Sequence, residues 1–316
     1  INNKNEDEIN ILEGNPDLWS VGIVTKILEE LIRSSKAYCT AHPQSSLNNP
    51  NIHQLLGYFA VIELARLECL LCDYNASLIT SSSILVHLQS TTSDTTEFYG
   101  CPLTLYSTMP LCHINIFYHA GVSLLMLHRY SDALRTFNEV ILHISQRLLK
   151  QGNVIGNKPG FQAQLQRMLD RMLALAALCM GLYPSIDTSS SSGSTGQVFS
   201  DQVRDMINTH ATLAEKHRLL QSGTGDSVST FENIFEHNIP KFISPAIPSY
   251  KRRDRNDEDE EEKDGVKTYA SNYLCQDVIK TQIAVFMSQV KRQLPVLKLK
   301  SYLKLYTSIG LEKLSR

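Results

Sequence analysis

The first regular pattern of hydrophobic positions along the chain is that of a helix with one apolar side. Val21, Thr25, Leu28 and Ile32 recur at helical spacing and extend this predicted helix to about residue 38. Residues 55–71 predict a helix that is apolar on almost every side. A polar turn at residues 73–75 leads into another helix that ends at about residue 88. Two helices joined by a tight polar turn predict an antiparallel hairpin.

The same arrangement recurs over residues 108–149, where two predicted helices flank a turn at Arg129 and Tyr130. Such recurrence predicts stacked helix pairs. A tetratricopeptide-like unit has small residues where its helices approach and an aromatic residue in the groove between units. The second hairpin has this combination, whereas the first matches only at its small residues and its tyrosine. The compared positions are Gly121, Tyr130, Ala133 and Phe137 in the second hairpin and Ala65, Tyr74, Ser77 and Ser81 in the first.

We therefore predict an all-α, TPR-like helical-repeat solenoid, in which Ala133 and Phe137 are buried between neighbouring helices. Further helices are predicted over residues 161–183 and 199–220, and another contains Ile279 and Val290. Pro295 is predicted to end that helix, and a separate helix is predicted to follow it.

Two stretches lack any apolar periodicity. Residues 184–200 are rich in Ser, Thr and Gly, which predicts a flexible insertion. Residues 251–264 change from a basic to an acidic block and predict a mobile loop. We accordingly divide the chain into helical repeats over residues 1–183, the insertion at residues 184–200, and a second helical part over residues 201–316.

Composition and charge favour an interaction protein. The 316 residues are 42% hydrophobic, which is enough for a sizeable core and excludes disorder of the whole chain. With a formal net charge of -2, the chain lacks the excess of Lys and Arg that is typical of proteins that bind the phosphates of nucleic acids. The odd number of cysteines, 7, and the absence of a secretory signal predict reduced thiols in a cytoplasmic protein. The longest apolar stretch, residues 172–183, is shorter than the roughly 20 residues of a membrane span.

No catalytic or cofactor-binding motif appears in the sequence. The histidines form no HExxH pair for zinc, and no Gly-rich phosphate loop or GxSxG turn occurs. Cys69 and Cys72 have CxxC spacing, but we place both inside one continuous apolar helix as buried core thiols. The sequence thus predicts no metal, no cofactor and no enzymatic activity.

Basic residues near the end of the chain leave one alternative open. Lys291, Arg292, Lys298, Lys300 and Lys304 are predicted on the solvent side of amphipathic helices, where such residues normally favour solubility. The same charges, together with those at residues 251–255, would also suit direct contact with RNA.

Four segments resemble the subunit L family of eukaryotic translation initiation factor 3. They are residues 15–21 (NPDLWSV), 56–78 (LGYFAVIELARLECLLCDYNASL), 239–250 (IPKFISPAIPSY) and 303–314 (LKLYTSIGLEKL). They occur in the family's order and span nearly the whole chain. The third is the most specific, because helix patterning does not generate PKFxSPxxPxY. The Ser-rich and charged insertions depart from the family pattern.

The resemblance implies a helical array that leads into the helical part of a PCI module, with the module's winged helix truncated. It implies a non-catalytic scaffold that binds other subunits of the factor, those resembling K and E first, and supports engagement of mRNA and the small ribosomal subunit. No small-molecule substrate and no membrane are implied. Candidate partner-binding residues lie in the last two segments: Pro240, Lys241, Phe242, Ser244, Pro245, Pro248, Tyr250, Leu303, Tyr306, Leu311 and Leu314.

Alternatives remain at the level of the sequence. The third segment, residues 239–250, is here called the proline-rich segment. It also suits a rigid connector that Phe242, Ile243 and Ile247 anchor to the helices. A PCI scaffold of the proteasome lid or the signalosome would share the fold but not the PKFxSPxxPxY segment. An RNA-binding solenoid is a further hypothesis, and an enzyme would require a catalytic group that the sequence does not display.

Overall fold

The computed structural model is built from α-helices in pairs. It describes residues 10–11, 14–15, 20–35, 52–90, 97–98, 101–102, 110–148, 159–182, 200–222, 225–245 and 271–305. The helices are α1 (Val21–Ser35), α2 (Ile52–Leu70), α3 (Tyr74–Ser90), α4 (Pro110–Met126), α5 (Tyr130–His143), α6 (Pro159–Leu182), α7 (Asp201–Thr209), α8 (Leu213–Ser222), α9 (Gly225–Asn238) and α10 (Ser271–Leu305). The predicted all-α helical-repeat class is confirmed.

Strands contribute only a minimal ladder to the described residues. β1 (Glu97–Phe98) pairs antiparallel with β2 (Cys101–Pro102), so that Phe98 lies opposite Cys101. This small hairpin follows the first helix pair and was not predicted, because two residues are too few to show a pattern of period two.

The chain forms two compact units, each assembled from two separate stretches. Unit 1 contains residues 1–105 and 240–282, and unit 2 contains residues 106–239 and 283–316. Unit 1 includes the α1, α2 and α3 helices, and unit 2 includes α4 to α9. The predicted boundaries at residues 183 and 200 stay a prediction.

The two helix pairs end their first helices in the same way. Cys72 and His128 each adopt a left-handed backbone conformation, with φ of 67° and 61°. The next residue in each pair donates its N–H back five positions, Asp73 to Glu68 O at 2.9 Å and Arg129 to Leu124 O at 2.9 Å. This is a Schellman turn, which satisfies helix carbonyls that have no partner within the helix. The predicted equivalence of the turns before Tyr74 and Tyr130 is therefore found in the backbone.

The interior of each pair differs in its side chains. In unit 2, Gly121 of α4 faces the ring of Phe137 of α5, and both Ala133 and Phe137 are fully buried, as predicted. In unit 1, the equivalent Ala65 instead accepts a 2.8 Å hydrogen bond from the hydroxyl of the buried Ser77. The first pair therefore uses a polar bond where the second uses an aromatic ring.

α6 contributes much of the core of unit 2. Its second half is buried almost continuously, with Leu175, Ala176 and Leu178 fully inaccessible to solvent. Gly181 lies close to Leu220 of α8 and Phe231 of α9, where an added Cβ would approach both side chains at 3.2 Å. Phe235 of α9 stacks on Phe286 of α10, with ring centroids 3.9 Å apart and planes 7° from parallel.

Three predictions about helix boundaries are wrong. The predicted helix over residues 199–220 is two helices, because His210 adopts an extended backbone (φ -69°, ψ 123°) within a run of Asn, Thr and His, which are weak helix formers. Pro295 does not end a helix but lies inside α10. α10 continues because Phe286, Val290 and Leu294 bury one side of it, which offsets the lost hydrogen bond of the proline. Cys72 lies in the turn after α2 and not inside a continuous helix.

Other predicted features meet the structure in part. Val21, Thr25 and Leu28 are half-buried and Ile32 is buried, which confirms the predicted inner face of α1. The sequence analysis did not identify α9. Residues 184–199 of the Ser-rich insertion and the charged loop at residues 251–264 lie outside the described residues.

Candidate partner-binding segments

The proline-rich segment begins where α9 ends and packs on the α2–α3 turn of unit 1. Ile243 donates its N–H to the carbonyl of Leu70, the last residue of α2, at 2.9 Å. Carbonyls in the last turn of a helix lack partners within the helix, so this bond satisfies one of them. Pro240 and Pro245 restrict the path of the segment between them.

Phe242 anchors the segment. Its side chain is fully buried, and its ring meets that of Tyr74 edge-on at a centroid distance of 6.3 Å. Such tilted aromatic contacts stabilise a pair by about 1 kcal/mol beyond the area that they bury. The alternation of buried Phe242 with exposed Lys241 gives the segment an inner and an outer side.

Tyr74 connects this anchor to α10. Its hydroxyl donates to Oε1 of Gln282 at 2.8 Å. Burial, and after it the neighbouring Cys72, raises the pKa of the Tyr74 phenol, which therefore remains a hydrogen-bond donor at neutral pH. Tyr74 thus contacts both Phe242 and Gln282, the two residues that frame the charged segment of the sequence.

The predicted partner-binding residues have different positions. Pro240 and Phe242 are buried by the chain itself, Ser244 is half-buried, and Lys241 and Pro245 are exposed. Leu303 belongs to α10, but its side chain is not described, and Pro248, Tyr250, Tyr306, Leu311 and Leu314 lie outside the described residues. Their role in partner binding stays a prediction.

Two sets of exposed aliphatic residues add to these candidates. On α1, Ile23, Val24 and Ile27 are 43%, 46% and 54% exposed, beside the inner face that contains Ile32. The sequence analysis missed them, although their apolar character next to the predicted face was the available signal. On α10, Val296 and Leu299 are 44% and 40% exposed.

The described residues offer little reactive chemistry. No group of three or more His, Cys, Asp or Glu side chains among them is arranged to hold a metal ion. Burial raises the pKa of the Cys72 and Cys179 thiols, which keeps both protonated and weakly nucleophilic. None of the helices that the structure describes has the length and apolar character needed to cross a bilayer.

Comparison with known proteins places this arrangement in a family. The model of the family described as RNA polymerase I-associated factor PAF67 matches residues 1–316. The chain belongs to this family. Proteins similar to it include the eukaryotic translation initiation factor 3 subunit L of Nematostella vectensis, which is 28% identical over 100% of this chain and 52% of its own length.

Two further relatives carry the same name. Subunit L of Chaetomium globosum is 27% identical over 98% of this chain and 56% of its own length, and the human protein is 27% identical over 99% and 48%. The resemblance to subunit L that the four sequence segments indicated is thereby confirmed. The chain spans about half the length of these relatives.

Proposed function

We propose that the chain acts within translation initiation factor 3 as a non-catalytic scaffold that binds neighbouring subunits. The observation that carries the proposal is the match of the PAF67 family along the whole chain, together with relatives named subunit L in animals and fungi. Through the complex, the chain would support engagement of mRNA and the small ribosomal subunit in the cytoplasm.

The chemistry of the described residues is compatible with a scaffold. Helix pairs of this kind present extended surfaces, because each pair contacts its neighbours through some faces only. Exposed aliphatic side chains on α1 and α10 provide apolar contact area, whereas burial raises the pKa of the Cys72 and Cys179 thiols and makes them weak nucleophiles. Association with other proteins therefore accounts for these features without a catalytic step.

We assign partner contact to the outer side of the proline-rich segment and to the end of α10. Lys241 and Pro245 are exposed on a segment that Phe242 holds in place, so a partner would meet a fixed rather than a loose surface. Leu303, Tyr306, Leu311 and Leu314 extend the second candidate surface along the sequence. Subunits resembling K and E are the proposed neighbours.

Affinity purification of the full-length protein from its own cells tests the proposal. We expect mass spectrometry to identify the other initiation factor 3 subunits, including those resembling K and E, as the main partners. Recovery of RNA polymerase I subunits instead, or of the proteasome lid or the signalosome, would reject the assignment to initiation factor 3.

A charge reversal tests the proposed segment separately. Lys241→Glu should reduce recovery of at least one subunit several-fold, because it reverses a charge on the outer side of the segment. Lys216→Glu is the matched control, since Lys216 is equally an exposed lysine but lies on α8. Equal recovery with both variants would remove residues 240–245 from the interface.

A further inference from the structure

Most of α10 combines a basic sequence with exposed aliphatic residues. Residues 278–305 contain no Asp or Glu, although the whole chain has a net charge of -2. Its cations are Lys280, Lys291, Arg292, Lys298, Lys300 and Lys304. This helix is therefore a local region of positive charge in a slightly acidic protein.

The helix has a buried side and an exposed apolar side. Phe286, Val290 and Leu294 form the buried side, and Phe286 stacks on Phe235. Val285, Val296 and Leu299 are 44%, 44% and 40% exposed. Their spacing places them on one side of the helix, away from the buried residues.

Positive charge lies within and beside this exposed stripe. Arg292 follows Val285 by seven positions and precedes Leu299 by seven, so it lies in the same row, and Lys291 is exposed next to it. Pro295 is also exposed, and it has no N–H to donate to the carbonyl of Lys291. The outer face of α10, defined as Val285, Lys291, Arg292, Val296 and Leu299, thus offers aliphatic contacts and two cations.

We propose that the outer face of α10 docks an amphipathic helix of a partner protein whose apolar stripe is bordered by Asp and Glu. Helices recognise such surfaces by laying an apolar stripe along them, and the acidic border would pair with Lys291 and Arg292. The proposal deepens the scaffold function above by specifying the chemistry of one partner, and it rests on that function.

RNA suits this face less well. Proteins that bind single strands combine cations with aromatic side chains on which bases stack. Among the described residues of the outer face of α10, the side chains beside Lys291 and Arg292 are aliphatic, and they gain from contact with another apolar surface rather than with phosphate and sugar. An acidic helical partner therefore uses both properties of the face, whereas RNA would use only its charge.

Matched synthetic helices test the proposal on the chain of residues 1–316. Two fluorescent peptides share one leucine stripe and differ in the residues that border it, which are all Glu in one and all Lys in the other. A third peptide has the Glu residues but has its leucines scrambled off the stripe. By fluorescence anisotropy we expect the Glu-bordered peptide to bind at least about tenfold more tightly than either control, and its affinity to fall as salt is raised.

Variants assign the binding to α10. Leu299→Asp should lower the affinity for the Glu-bordered peptide about tenfold, because apolar anchor residues contribute most of the binding energy of such contacts. The double variant K291E/R292E should reverse the preference toward the Lys-bordered peptide. Ile79→Asp, which changes another exposed aliphatic residue on α3, is the control and should have no effect. Thermal melting verifies that each variant remains folded.

Two results would overturn the inference. One is the absence of any preference for the Glu-bordered peptide, or a preference that Leu299→Asp leaves unchanged. The other is tight binding of a single-stranded RNA oligonucleotide that K291E/R292E abolishes and Leu299→Asp does not, which would assign the face to RNA. Because peptides replace cellular partners, these results are independent of whether initiation factor 3 subunits co-purify with the protein.

Discussion

Gly121 leaves no room for a methyl group between α4 and α5. A Cβ built on Gly121 would lie 2.6 Å from Cζ of Phe137, well inside van der Waals contact. Phe137 is fully buried and can move little, because a close-packed interior resists displacement of a ring. The glycine and the phenylalanine therefore act as one unit in which the absent side chain of one accommodates the ring of the other.

Alanine at position 121 should destabilise the protein despite its higher helix propensity. We expect Gly121→Ala to lower the free energy of unfolding by about 1 to 3 kcal/mol, as overpacked cores do. Gly22→Ala is the matched control, because Gly22 is an exposed helical glycine whose Cβ would meet only Ser20 Oγ, at 3.8 Å. It should raise stability by about 0.5 to 1 kcal/mol. Chemical denaturation measures both, and a stabilising Gly121→Ala would contradict the packing described.

At the scale of elements, the α2–α3 hairpin is completed by residues distant in sequence. Its turn receives the N–H of Ile243, and Tyr74 at the start of α3 contacts Phe242 and Gln282. Asp73 caps α3 by accepting the N–H of Ala76 at 3.1 Å, which fixes the first turn of the helix. The position of Tyr74 is thus defined by the turn, and its contacts follow from that position.

The hydrogen bond between Tyr74 and Gln282 should be measurable by a double-mutant cycle. We expect Tyr74→Phe to lower the free energy of unfolding by about 1 kcal/mol, because it removes the bond but retains the ring that contacts Phe242. Gln282→Leu should lower the free energy of unfolding by a similar amount. The double variant should lower it by less than the sum of the two single changes, since both remove the same bond. Strict additivity in urea denaturation would show that the bond does not contribute.

Helix pairs were predictable from the sequence because their signals are local. Apolar periodicity identified the helices on both sides of Tyr74 and Tyr130, and the small residue at position 121 indicated a close helix approach. The continuation of α10 through Pro295 was not predictable, because it depends on burial of Phe286 and Val290 against distant helices. For the same reason, the family resemblance singled out the PKFxSPxxPxY segment but could not indicate that Ile243 would bond to Leu70.

At the scale of the whole molecule, neither compact unit is continuous in sequence. Unit 1 includes residues 240–282, which follow most of unit 2 in the sequence. The residues of α10 up to 282 belong to unit 1, and those from 283 onward belong to unit 2. A truncation of the chain between residues 105 and 240 therefore removes part of unit 1. The N-terminal helices therefore contact residues that follow them far along the sequence, as Tyr74 contacts Gln282.

A truncated chain of residues 1–239 should show this dependence. It lacks Phe242 and Gln282, so we expect amides of α2 and α3 to exchange hydrogen much faster than in the chain of residues 1–316. Phe242→Ala in the longer chain serves as a milder comparison and should accelerate exchange in the same helices. Unchanged protection of α2 and α3 in residues 1–239 would show that the N-terminal helices fold without the second stretch.

The two contacts of Tyr74 bear on how the chain tolerates changes in the length of the sequence between Phe242 and Gln282. Phe242 and Gln282 are held near one tyrosine, so the chain between them begins and ends at fixed points. The entropy of closing a connection grows only with the logarithm of its length, and doubling it costs about 0.6 kcal/mol. We therefore expect a change in the length of the sequence between Phe242 and Gln282 to lower the stability of the helices little, as long as both contacts of Tyr74 are retained.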